Sequence, residues 1–166
     1  MTDLATTLAN AFGQADNQPQ ASCAALCALA QELVGARLFT MSVIDAPAGL
    51  ARRLYSNMPD AYPVSGTKPM QDDVWSRHVI GAQKIFVANN IEDIALVFPD
   101  HPLILSLGCA AVINVPVVVA GRVIGTVNCL DVAGHYTPTR VAAAAALRLP
   151  GAACLMLNML LNKGNL

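Results

Sequence analysis

Charge is scarce in this chain. Asp, Glu, Lys and Arg make up 13% of its 166 residues, the net charge is −1, and no block of one sign stands out. A nucleic-acid or anionic-membrane surface needs a basic stripe, so the composition speaks against both partners. Aromatic residues are sparser still, at 5%, with one tryptophan. No His or Cys motif falls at metal-ligand spacing. No Gly-rich loop suits phosphate, and no Ser-His-Asp order or His-x-x-x-His pair is present. The five cysteines, Cys23, Cys27, Cys109, Cys129 and Cys154, are odd in number and scattered, which argues against a disulfide framework. The segment MTDLATTLANAF has neither the basic start nor the apolar core of a secretory signal. The oiliest stretch, VAAAAALRLPGAACLMLNMLL, is interrupted by Arg148, Pro150 and Gly151. It leaves no uncharged run of the ~18 residues a spanning helix needs. The expectation is a cytoplasmic protein without membrane contact.

Apolar residues are abundant instead, at 55%. That is oily for a monomer, so some apolar surface is expected to face a partner chain. The length suits one domain over 1–166, with a core at about 20–160 and residues 1–19 as an N-terminal helix and linker.

Residues 3–14 carry a helical stripe, and 20–35 a second one, with Cys23, Cys27, Ala30 and Val34 on one face and Gly35 past the end. RLFTMSVID alternates as a strand, and LARRLYSN follows as another. MPDAYPVSGTKP, with three prolines and no period, reads as a long loop. Residues 72–82 suit a helix, KIFVAN a short strand and IEDIALVF a turn or two of helix. Asp100 can cap the next helix and Gly108 end it. AVINVPVVVAGRVIGTVNCLD is a very apolar hairpin around Ala120-Gly121. Thr137 and Pro138 open a long final helix, which Pro150-Gly151 should kink or break.

Both hairpin strands are apolar on both faces, so both faces of their sheet need cover. The terminal helices supply one cover, and the loops and short helices between Pro59 and Gly108 the other. The expected class is α/β (α+β): a three-layer domain with a central antiparallel sheet. A small-molecule cavity belongs under the irregular cover.

This element order resembles the GAF domain, and INVPVVVAGRVIGTVNCLD is similar to that family's hairpin signature. LYSNMPDAYPVSGTKP, SLGCAAVINVP and GTVNCLDVAGHY resemble a group of stand-alone bacterial GAF proteins. The resemblance covers about residues 20–160 and implies a ligand site between the sheet and the short helices. It also carries departures. The Asn-Lys…Phe…Asp-Glu pattern of cyclic-nucleotide-binding members has no counterpart, since Asn162-Lys163 sits in the tail. Covalent bilin attachment uses a Cys usually followed by His, whereas Cys109 precedes Ala110. Free methionine sulfoxide reductases need cysteines that RHVIGAQ lacks. They also use acidic groups where this chain has Val112, Asn128 and Leu130.

Within the expected cavity, Asn114 and Asn128 are the sharpest candidates, because a buried amide must find partners. A strict two-residue turn puts them on opposite faces. One bulge, at Pro116 or Gly125, makes them cross-strand neighbours. They then hold a polar ligand or bond the covering loops. Trp75 and His78, three residues apart, share a helix face and line the pocket or simply pack on the sheet. Phe86 and Phe98 serve as apolar walls. Tyr55, Tyr62 and Lys68 flank the long loop, with residues 57–71 as a lid, and Lys68 with Arg52 or Arg53 can meet an anion. Cys109 ends a helix, which disfavours a thiolate, so it reads as a small buried contact. His101 and His135 fall in loops and are expected to be exposed. The function expected is a sensor or regulatory domain that encloses a small polar or amphipathic ligand of unknown identity. It would act as a homodimer through its N- and C-terminal helices. The alternatives are a small redox enzyme related to the sulfoxide reductases and a ligand-free dimerisation module.

Overall fold

A computed structural model describes residues 3–163. The expected span of 1–166 therefore runs past the described residues at both ends. Two helices open the chain, α1 (Leu4–Phe12) and α2 (Gln20–Leu33). Strands β1 (Leu38–Asp45) and β2 (Leu50–Ser56) follow, then a short β3 (Thr67–Pro69). Helix α3 (Val74–Ser76) widens into a π-helical turn over Arg77–Gly81. After β4 (Phe86–Ala88) come α4 (Ile91–Ala95) and α5 (His101–Ser106), then the hairpin β5 (Ala111–Val119) and β6 (Arg122–Asp131). Helices α6 (Pro138–Ala143) and α7 (Arg148–Lys163) close the chain.

The six strands form one sheet in the order β3-β2-β1-β6-β5-β4, and every pairing is antiparallel. Alternation sorts the two faces. Phe39 and Met41 of β1, Ile113, Val115 and Val117 of β5, and Val127 and Cys129 of β6 pack against α2 and α7. Leu38, Val112 and Leu130 turn the other way, onto Ile94 and Ile104 of the short helices. This is the expected three-layer arrangement.

The hairpin turns on Ala120 and Gly121, both at positive φ (49° and 77°), which is the type I′ geometry that matches strand twist. Val118 pairs with Val123 but Val117 with Gly125, so Ile124 is one extra residue in β6. The expected bulge therefore exists, beside Gly125. Pro116 takes no part in it and pairs regularly with Thr126. It lies beyond the β4 pairing, which ends at Asn114, where its missing N–H leaves no gap in a second ladder.

Three local readings need correction. The long loop holds a strand, because residues 67–69 pair with β2 along an edge that periodicity over three residues cannot announce. The break in the last helix precedes Pro150: residues Ala144–Leu147 tighten into a 3₁₀ turn, and Pro150 then fits the first turn of α7. By length and composition Pro138–Lys163 could cross a membrane. Here its inner face, with Ala152, Cys154 and Leu155, is buried in the core under the sheet.

Candidate functional site

Between the sheet and its irregular cover lies a cavity of about 190 Å³. Its floor is polar. Thr40 and Ser42 reach it because they alternate with Phe39 and Met41 on β1. Asn114, Asn128 and Thr126 reach it from the hairpin. The bulge makes Asn114 and Asn128 direct cross-strand partners, and β1 places Thr40 opposite Asn128. A row of hydrogen bonds follows. Trp75 Nε1 donates to Asn114 Oδ1 at 2.9 Å, Asn114 Nδ2 to Asn128 Oδ1 at 2.8 Å, and Asn128 Nδ2 to Thr40 Oγ1 at 3.2 Å. Asn114 is 4% exposed and Asn128 9%, so these bonds remove what would otherwise be buried unpaired amides. The expected bonds to covering loops take this different form. The partners are one indole, one hydroxyl and each other.

The wall is aromatic. Asp73 begins α3 with a capping box, its carboxylate accepting from Ser76 N at 2.7 Å. That fixes Trp75 over the sheet. Trp75, Phe98, Phe86 and His78 then form a chain of edge-on rings, with successive centroids 6.3, 6.2 and 6.2 Å apart. Trp75 and Phe98 line the cavity. Phe86 and His78 stand behind them, outside it, and His78 Nε2 lies 2.9 Å from the Ile85 carbonyl oxygen. Their role is to brace the wall.

The rim carries charge. Arg53 lies on the cavity face of β2, and its guanidinium sits 4.8 Å from the centre of the Tyr62 ring. Its Nη1 donates to Pro63 O at 3.0 Å, while its Nε is buried with no partner. Burial lowers the Arg53 pKa, against the opposing pull of Tyr62 and Asp100. Lys68 places its ammonium 5.7 Å from the Phe98 ring centre. Arg52, one residue before Arg53, lines a separate surface hollow with Val43 and Asn158. Asp100 stands at the N-cap of α5, but its side chain makes no capping bond. It accepts the Tyr62 hydroxyl at 2.7 Å, and burial with this bond raises the Tyr62 pKa above the usual phenol range. That bond, the Arg53–Pro63 bond and β3 pin the segment 57–71 across the cavity mouth, so the expected lid is anchored at three places.

Further expectations fail. Tyr55 faces the helices and stacks edge-on with Phe39 at 6.0 Å. The reason is a second bulge: Met41 pairs with Tyr55 but Ser42 with Arg53, so Leu54 is extra and both Leu54 and Tyr55 turn to the helix side. Cys109 is buried among Leu38, Val112 and Leu130, off the cavity lining. Burial pushes its thiol up, as it does for Cys27 (to about 11) and Cys129. The Cys23 thiol is also raised, chiefly by its hydrogen bond with Cys154. His101 and His135 are half-buried rather than exposed: His101 Nδ1 lies 3.1 Å from Phe98 O, and His135 Nε2 lies 2.9 Å from both Val34 O and Arg140 Nη1. Tyr62 lines the cavity from the expected lid, and Asp100, Thr40, Ser42 and Thr126 join the site unforeseen. The alternation of β1 already held the signal for Thr40 and Ser42. Among the described residues no group of three or more His, Cys, Asp or Glu could hold a metal ion.

No family model and no curated protein matches the chain. Solved structures do. The GAF domain of a phosphoenolpyruvate-protein phosphotransferase from Coxiella burnetii superposes with a TM-score of 0.67 at 14% identity, over 98% of this chain and 97% of that one. The GAF domain of a two-component sensor histidine kinase from Bacillus halodurans gives 0.64 at 11% identity, over 84% and 95%. The blue-light-absorbing form of the Thermosynechococcus elongatus PixJ GAF domain gives 0.60 at 15% identity, over 84% and 85%. At these identities the likeness establishes the fold: the chain has the GAF-domain architecture.

Proposed function

We propose that this GAF-fold chain is a sensor domain that encloses a small polar or amphipathic molecule in the cavity beneath residues 57–71. The observation that carries the reading is the buried polar floor. A sheet face that only packs on short helices has no use for Asn114, Asn128, Thr40, Ser42 and Thr126 together beside about 190 Å³ of space. Trp75 and Phe98 would hold the ligand's apolar part, with Arg53 and Lys68 at the rim. The fold is also that of domains from a sensor kinase and from PixJ, which fits a signalling role.

In this reading the domain works in the cytoplasm as a homodimer, without nucleic acid or membrane. Leu149, Met156 and Leu160 support the dimer. They recur at helical spacing on α7 and are 80%, 46% and 68% exposed. Ligand binding would act on the dimer only through differential affinity for two arrangements.

A ligand-free dimerisation module has one observation in its favour, the internal satisfaction of the Trp75–Asn114–Asn128–Thr40 row. The raised thiols lend no support to the redox alternative. Native mass spectrometry of the purified chain, beside spectra under denaturing conditions, separates the first two. The sensor reading expects a dimer carrying a non-covalent mass, or a bare dimer whose melting temperature rises with some metabolite in a screen. A bare protein that no metabolite stabilises would sink it.

A further inference from the structure

The hydrogen-bond row on the cavity floor has a direction, and Trp75 sets it. An indole N–H can donate and cannot accept. Asn114 must therefore turn its oxygen to Trp75 and its NH₂ to Asn128. Asn128 must in turn present its oxygen to Asn114 and its NH₂ to Thr40. Inverting the row would set an amide N–H against the indole N–H. Thr40 stands at the end as an acceptor, so its own proton is left to donate. Each amide also keeps a second N–H.

The charged groups lean the same way. Arg53 and Lys68 are donors only. The two carboxylates at the cavity, Asp73 and Asp100, already accept from Ser76 N and the Tyr62 hydroxyl. The buried Arg53 Nε without a partner marks the side where an acceptor is missing. The space is modest. A cavity of about 150 Å³ accepts benzene, and this one measures about 190 Å³, with the Trp75 and Phe98 rings along one side.

We infer that the cavity selects a small carboxylate whose flat apolar body is about one ring in size, an inference that rests on the cavity being a binding site. The carboxylate meets Arg53, Lys68 and the outward N–H and O–H groups of the floor. The ring lies along Trp75 and Phe98. A charge-assisted pair with Arg53 is the strongest contact available to such a ligand.

The test is isothermal titration of the full chain with three isosteric probes: benzoate, benzamide and benzamidine. Trp75, the one tryptophan, adds a fluorescence readout at the cavity itself. Benzoate should bind on the order of tenfold more tightly than benzamide, the ratio expected for one charge-assisted hydrogen bond. Benzamidine should not bind. Arg53→Gln should bring benzoate down to about the benzamide level. Arg53→Lys, which keeps the charge, should recover part of the preference and guards against a folding defect in the first variant. Trp75→Phe keeps the ring but frees the amides to invert, so the preference should shrink there too. Benzamide binding as well as benzoate would overturn the carboxylate inference while the cavity reading stands. Failure of both ring probes at millimolar concentration would overturn this inference, whereas the cavity reading falls only if the metabolite screen also finds no stabilising molecule.

Discussion

Asn114 and Asn128 face one another across the central hairpin and share a 2.8 Å hydrogen bond, both amides being buried. The extra residue Ile124 makes this pairing possible, because it shifts the register by one. Without it the two side chains would lie on opposite faces of the sheet.

Removing one amide should cost more than half of removing both. Asn114→Val leaves the Trp75 N–H and the Asn128 oxygen without their partner, at about 1–3 kcal/mol. Asn128→Val likewise strands Asn114 and Thr40. In the double variant no lone amide remains, and valine suits a strand. The double variant should lose less than the sum of the singles, with a coupling of about 0.5–3 kcal/mol in denaturant unfolding. Strict additivity would mean that the row contributes nothing as a unit.

Gly125 has no room for a side chain. A Cβ there would collide with the Ser42 backbone oxygen and with Leu155 of α7. The Ser42 oxygen belongs to β1 and cannot rotate away. Gly125→Ala should therefore destabilise by about 1–3 kcal/mol or more. It should also weaken probe binding, because Ser42 and its neighbour Thr40 are part of the floor. An unchanged melting temperature would show that β1 and α7 yield more easily than close packing allows.

The exposed leucines of α7 test the proposed dimer. Leu149→Glu with Leu160→Glu should change stability by no more than about 0.5 kcal/mol per site. The same variant should sediment as a monomer where the parent sediments as a dimer. A variant that remains dimeric moves the interface elsewhere.

Alkaline pH should loosen the fold, and the sign follows from Cys27. Burial raises its thiol from the usual 9.0 to about 11. Below pH 9 both states keep the proton, so the stabilising effect is fully present. From pH 9 the unfolded chain begins to ionise while the folded chain does not, and stability falls until pH reaches about 11. Stability measured from pH 8 to 11 should decline, and Cys27→Ala should reduce the slope whatever it does to the absolute value. An unchanged slope would assign the decline to the other buried thiols.

The sequence by itself determined the element order, the hairpin and the sorting of β1. These rest on local rules. Alternation over eight residues sends Phe39 and Met41 one way and Thr40 and Ser42 the other, and Ala120-Gly121 between two apolar strands marks a tight turn. The need of a doubly apolar hairpin for cover on both faces implied the three layers.

Tertiary structure alone decided which side chains meet in the cavity. Tyr55 reads as a cavity residue by loop position, yet one extra residue, Leu54, turns it to the helices, and nothing in LARRLYSN marks that residue as extra. Register is a contact between strands, so one strand's sequence does not contain it. Asp100 looks like a helix cap because capping is local, but Tyr62, 38 residues earlier, takes its carboxylate. The direction of the amide row likewise depends on an indole held 39 residues before Asn114. Periodicity and turn chemistry act over a few residues. Bulges, buried partners and the polarity of a hydrogen-bond row are settled only when distant segments pack.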